Sequence, residues 1–127
     1  MFLRTSPAGA VRQLIGSAFL VAIAAALADV GWVAGLVNAF PRESMRQFEL
    51  ARDGKTAQAA ELYQWFLPLL RLDTVPEFVQ LIKLVQQQVG QGNERVRPPR
   101  LPVQGALREH AMSVIRQALS IRPAVAR

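Results

Sequence analysis

His110 is the only histidine in the chain, and histidine is the side chain best suited to moving a proton near neutral pH. Its neighbour Glu109 is the one carboxylate placed to work with it, but adjacent residues of a helix point roughly 100° apart, so the two do not share a proton path. His110 is therefore expected to face solvent. There is no cysteine, which removes disulfides, thiolate metal sites and thiol nucleophiles. A single histidine leaves no His-rich metal site either, and neither a metal nor a cofactor is expected. Arg95, Arg97 and Arg100 cluster tightly enough to suit phosphate or RNA. No aromatic residues interleave with them, so a solvated face is the plainer reading and nucleic acid is not the expected partner. The formal charge of +6 is compatible with an anionic partner, but it too is first of all a solvated surface.

The elements that would hold any site begin with an ambiguous apolar third. Arg4 and Arg12 precede an apolar run from Leu14 to Leu27, and Ala26-Leu27-Ala28 ahead of Asp29 has the small-x-small form of an export-signal cleavage site. Residues 14–37 carry Asp29 as their only charge and are long enough to cross a bilayer core of about 30 Å. Asp29, Gly31 and Gly35 weaken that membrane reading. A third reading breaks the stretch at its glycines into a strand at 11–15 closed by Gly16-Ser17, an alanine-rich helix at 19–28, and a buried strand at 32–37. Parallel strands covered by helices read as near-continuous apolar runs, so the hydrophobicity needs no membrane. The strand–helix–strand reading is adopted; the alternative is a small basic helical protein, exported through a signal-like segment at Met1 to Ala28 or anchored in a membrane, that binds an anionic partner.

Beyond Pro41, a residue tolerated in a helix's first turn, the pattern is helical. Residues 43–52 form a helix with Glu43 in the first turn and Arg52 in the last, the order the helix dipole favours, ending at Asp53-Gly54. Thr56 is expected to cap a second helix whose stripe is Ala59, Leu62, Tyr63, Phe66, Leu69 and Leu70. Pro68 inside it should kink it or open its last turns. Thr74 and Glu77 have capping-box spacing for a third helix that buries Phe78, Val79, Ile82, Val85 and Val89 and stops at Gly90. Residues 91–104 form a loop punctuated by Pro98, Pro99 and Pro102. A last helix at about 106–119 carries Leu107, Ala111, Val114, Ile115 and Ala118 on one side. Trp32, Trp65 and Phe66 are core or interface aromatics.

These residues carry a resemblance. Gly16-Ser17, Gly31-Trp32-Val33-Ala34, the corner Asn38-Ala39-Phe40-Pro41, Leu50-Ala51-Arg52, Leu62-Tyr63, Leu67-Pro68-Leu69, Lys83 and the run from Arg97 to Pro102 resemble, in order and spacing, the C-terminal part of the dihydrodipicolinate synthase and N-acetylneuraminate lyase family. The likeness spans about residues 12–120. It implies an α/β fold by descent: the last two β/α units of a (β/α)8 TIM barrel followed by C-terminal helices, predominantly helical in content. The expected division is an unmatched segment at 1–10, a partial barrel at 11–54 (seventh strand and helix, eighth strand and helix), and a helical extension at 55–127.

The family implies a Schiff-base, class I aldolase-like lyase, in which a lysine on the sixth strand forms an imine with pyruvate or a related 2-oxo acid. A tyrosine on the fifth strand relays protons. Neither position is matched here: Lys55 follows a helix, Lys83 lies within one, and Tyr63 sits on an outer helix. No catalytic residue is assigned. Two substrate-binding positions carry over, Gly16 as a glycine whose backbone borders the substrate, and Val33 as an apolar residue whose carbonyl faces the cavity. Ala18 departs from the acidic residue, and Ala28 from the glycine, usual in the family. The expectation is a truncated, cytoplasmic homologue, inactive alone, that meets a 2-oxo acid only if completed by a separate lysine-bearing half. Its strands at 11–15 and 32–37 would lie side by side with open edges prone to self-association.

Overall fold

The computed structural model describes residues 2–4, 11–13 and 34–124. Two short strands come first, β1 (Phe2–Arg4) and β2 (Val11–Gln13). They pair antiparallel, with Phe2 opposite Gln13, Leu3 opposite Arg12 and Arg4 opposite Val11. A 3-10 turn at Gly35–Asn38 leads into α1 (Pro41–Arg52), α2 (Thr56–Leu70), a second 3-10 turn at Arg71–Asp73, α3 (Phe78–Gln88) and α4 (Gly105–Ser120).

Two expectations for the first third change. Of the strand expected at 11–15, residues 11–13 are described, as β2, and its neighbour among the described residues is β1 rather than a parallel strand from 32–37. The strand at 32–37 is replaced over its described part by the 3-10 turn, in which Leu36 accepts from the backbone N–H of both Ala39 and Phe40. The physical reason is the need to pair every buried backbone group. No strand lies beside residues 34–38 among the described residues, so the segment closes on itself, and Asn38 Nδ2 adds a bond to the Gly35 carbonyl at 2.8 Å. Leu36 is buried beneath α3. The helix expected at 19–28 lies outside the described residues.

The four α-helices follow the sequence closely. Pro41 opens α1, Glu43 occupies its first turn and Arg52 its last. Gly54 then turns the chain at φ +70°, a conformation in which an L side chain is strained. α2 packs against α1 through this tight turn. Gln47 Nε2 donates to the Ala59 carbonyl at 3.0 Å across the pair. α2 buries Ala59, Leu62, Trp65, Phe66 and Leu69, while Tyr63 and Leu70 are only half-buried. It runs through Pro68 to Leu70 before tightening into the 3-10 turn.

Neither expected threonine cap forms. Thr56 Oγ1 turns back to the Gly54 carbonyl at 3.3 Å, because the glycine turn makes Lys55 the residue that precedes the helix. Thr74 Oγ1 donates to the Arg71 carbonyl at 2.8 Å, closing the 3-10 turn instead of capping α3. α3 thus starts at Phe78, which is 42% exposed. Its buried face is Leu81, Ile82, Leu84 and Val85; of the expected stripe only Ile82 and Val85 are buried, and Val79 and Val89 are half-buried, because both 3-10 turns and α4 pack on the Leu81 and Leu84 side.

The core centres on Phe40, which is fully buried. Trp65 meets its ring edge-on at 5.3 Å and Phe66 at 6.1 Å, the geometry that ring quadrupoles favour. Trp65 Nε1 donates to the Ala118 carbonyl at 2.8 Å and so fastens α4 to α2.

Candidate functional site

The two positions assigned to substrate, Gly16 and Val33, lie outside the described residues, as does Trp32. What the structure does show is the corner that follows them. Ala39 and Phe40 are buried, and the Asn38 carbonyl accepts from Gln86 Nε2 of α3 at 3.5 Å. The corner is therefore pinned from its own turn, from α3 and from the aromatic cluster beneath it. Such a corner can fix the direction of a preceding segment; it carries no nucleophile or base of its own.

The candidate lysines are far from any such role. Lys55 is exposed in the turn between α1 and α2, and Lys83 is half-buried within α3. Neither stands at the end of a strand among the described residues. His110 and Glu109 are both exposed on α4, as expected. No group of three His, Cys, Asp or Glu residues able to hold a metal occurs among the described residues.

Three electrostatic features were not evident from the sequence. Glu43 is 2% exposed, and its Oε1 accepts from Arg122 Nε at 2.6 Å. Arg122 also lies over the Phe40 ring, 5.1 Å from its centroid, a cation–π contact. Glu43 Oε2 and Gln47 Oε1, one helical turn apart, are buried without a hydrogen-bond partner. The signal in the sequence was that α1's inward stripe is polar, with Glu43, Ser44 and Gln47 at three- and four-residue spacing. The dipole reading of Glu43 concealed it.

Asp73 stands against Gly35: a methyl group added to that glycine would lie 3.6 Å from both carboxylate oxygens. Burial pushes the Asp73 carboxyl above its ordinary value. Glu94 shows the opposite effect. Its hydrogen bonds with Arg108, one of them 3.1 Å long, hold its carboxyl below the usual range, and burial opposes this only in part. Arg108 is raised in return by the same bonds. This pair ties the proline-rich loop to α4, while Arg95, Arg97 and Arg100 stay exposed.

No helix among the described residues is long and apolar enough to cross a membrane. Most of the apolar run at 14–37 lies outside them. The model of the dihydrodipicolinate synthetase family matches residues 15–118. The match takes in α1, α2, α3 and nearly all of α4, while β1 and β2 precede it. No curated protein and no solved structure matches the chain.

Proposed function

Because the chain belongs to the dihydrodipicolinate synthetase family, we propose that it is the C-terminal part of a Schiff-base lyase acting on pyruvate or a related 2-oxo acid. In this reading residues 11–54 descend from the last two units of a (β/α)8 barrel. Gly16 and Val33 border the substrate, and the corner at residues 38–41 aims the last strand. The helices from α2 onward brace that corner. We take the protein to act in the cytoplasm.

The chemistry of the reading is an amine condensing with the keto carbon of the substrate. Water leaves, and the protonated imine accepts the electron pair of the bond being broken. The observation that carries the assignment is the family match across residues 15–118. Lys55 and Lys83 lie in a turn and within a helix, neither of them the sixth-strand place the family gives the amine, so in this reading the 127 residues do not turn over substrate alone.

The test is reductive trapping. The chain is incubated with pyruvate and sodium borohydride, alone and together with a polypeptide carrying strands one to six of a family member, and intact masses are read. The expected result is no adduct on this chain and a reduced pyruvyl adduct on the lysine of the other. An adduct on Lys55 or Lys83 would overturn the assignment, as would failure of the two polypeptides to associate.

A further inference from the structure

By type alone Arg95, Arg97 and Arg100 are a solvated face, but two features of the loop that carries them point further. The first is how firmly the loop is held. The Glu94 backbone N–H donates to Gln87 Oε1 at 3.0 Å and that of Arg95 to Asn93 Oδ1 at 3.0 Å. The Arg100 N–H donates to the Arg97 carbonyl at 3.1 Å, which folds the chain into a turn between the two arginines. Val103, just beyond, is buried in the core, and Arg108 of α4 holds Glu94. A loop already ordered in this way loses little entropy when it binds.

The second feature is what accompanies the arginines. Residues 95–102 contain no acid, and Glu94 beside them is committed to Arg108. Arg95, Arg97 and Arg100 form no ion pair among the described residues, so their charge is uncompensated within the loop. Next to Arg100, Leu101 leaves 76% of its surface open, more than any other large apolar side chain among the described residues. Arginines flanking an open leucine suit a bilayer interface: guanidinium groups take lipid phosphates through paired hydrogen bonds, and the leucine enters the acyl boundary just beneath them. Nucleic acid asks for something else, since single-stranded bases are held by stacking on aromatic rings and residues 91–104 contain none.

We propose that the loop at residues 95–102 docks the protein on an anionic membrane surface, with Arg95, Arg97 and Arg100 on headgroup phosphates and Leu101 inserted between them. The loop lies on the bilayer and does not cross it. Attachment through a few charges and one apolar anchor is reversible and weakened by salt. Anionic lipid faces the cytoplasm, and the docking surface is independent of the lyase chemistry.

The test is cosedimentation of the full chain with vesicles of phosphatidylcholine alone and of an equal mixture of phosphatidylcholine and phosphatidylglycerol. Binding is expected to the mixture only, and to weaken as salt is raised. Each arginine near such a surface raises affinity about fivefold, so Arg95→Gln, Arg97→Gln and Arg100→Gln together should weaken binding by about a hundredfold. Leu101→Ser should weaken it by about tenfold, and by a similar factor in high salt, because burial of the leucine is not screened. A control that removes the same charge elsewhere, Arg42→Gln, Arg46→Gln and Arg116→Gln on α1 and α4, should leave most of the binding in place. All of these side chains are at the surface, and far-UV circular dichroism should be unchanged throughout. Equal losses from the two triple variants would trace binding to net charge and overturn the proposal. So would binding to phosphatidylcholine alone, no binding to either vesicle, a Leu101→Ser variant that binds as the parent does, or release from the vesicles by inorganic phosphate or an RNA oligonucleotide at matched phosphate concentration.

Discussion

Arg122 contributes through what it prevents. Among the described residues its guanidinium is the one partner of the Glu43 carboxylate, a residue 2% exposed, and removing one member of such a pair leaves an uncompensated buried charge. Arg122→Ala should therefore lower unfolding stability by about 1–2 kcal/mol in urea titration, less than a fully buried pair loses, because the Arg122 side chain is 39% exposed and water can reach the vacated side. Adding Glu43→Gln to Arg122→Ala should recover part of that loss, because a neutral amide is cheaper to bury. Asp73 acts in the opposite sense. Its folded value lies above the ordinary 3.8, so between those two values the native state holds more protons than the unfolded one. Stability then falls as pH rises through that window and stays lower above it. Asp73→Asn should raise the thermal midpoint at neutral pH, by the equivalent of under about 1 kcal/mol for a half-exposed group, and the gain should vanish below about pH 3, where the unfolded carboxyl is also protonated. A midpoint unchanged at neutral pH, or a gain that persists in acid, would exclude this account.

Among the elements, the first 3-10 turn approaches α3 closely at Gly35. A methyl group placed on Gly35 would clash with the terminal Cδ1 of Ile82, which can swing aside only partly in a buried site, so Gly35→Ala should cost up to about 1 kcal/mol, the low end for overpacking. Ile82→Val removes that methyl group and should restore most of the loss, making the two substitutions strongly non-additive in a urea titration of the single and double variants. The same turn shows where sequence reasoning reached its limit. Trp32 to Val37 has the composition of a buried strand, and composition reports burial correctly at Leu36. It cannot report whether a neighbouring strand is present to pair the backbone. Helix extents were legible because Pro41, Gly54 and Gly90 act through their own backbone preferences, whatever surrounds them. The threonine caps were misread because each hydroxyl had a competing carbonyl in the turn before it, a choice fixed by the path of the chain.

At the scale of the whole molecule, family and helical content were readable from the order of short motifs, while the Glu43–Arg122 and Trp65–Ala118 ties were not. Such pairs join residues 79 and 53 positions apart, and no local pattern encodes them. Gly16 and Val33 remain assignments by resemblance, since both fall before the helical unit that the structure describes. The Glu43–Arg122 contact, with the Arg122 guanidinium also over the Phe40 ring, brings the start of that unit against the residue just beyond its last helix, so residues 40–122 form a chain whose two ends touch. A unit closed in this way does not depend on where its sequence starts: the ends can be joined by a short linker and the chain reopened in the exposed loop near Gly92, with every helix still finding its neighbour.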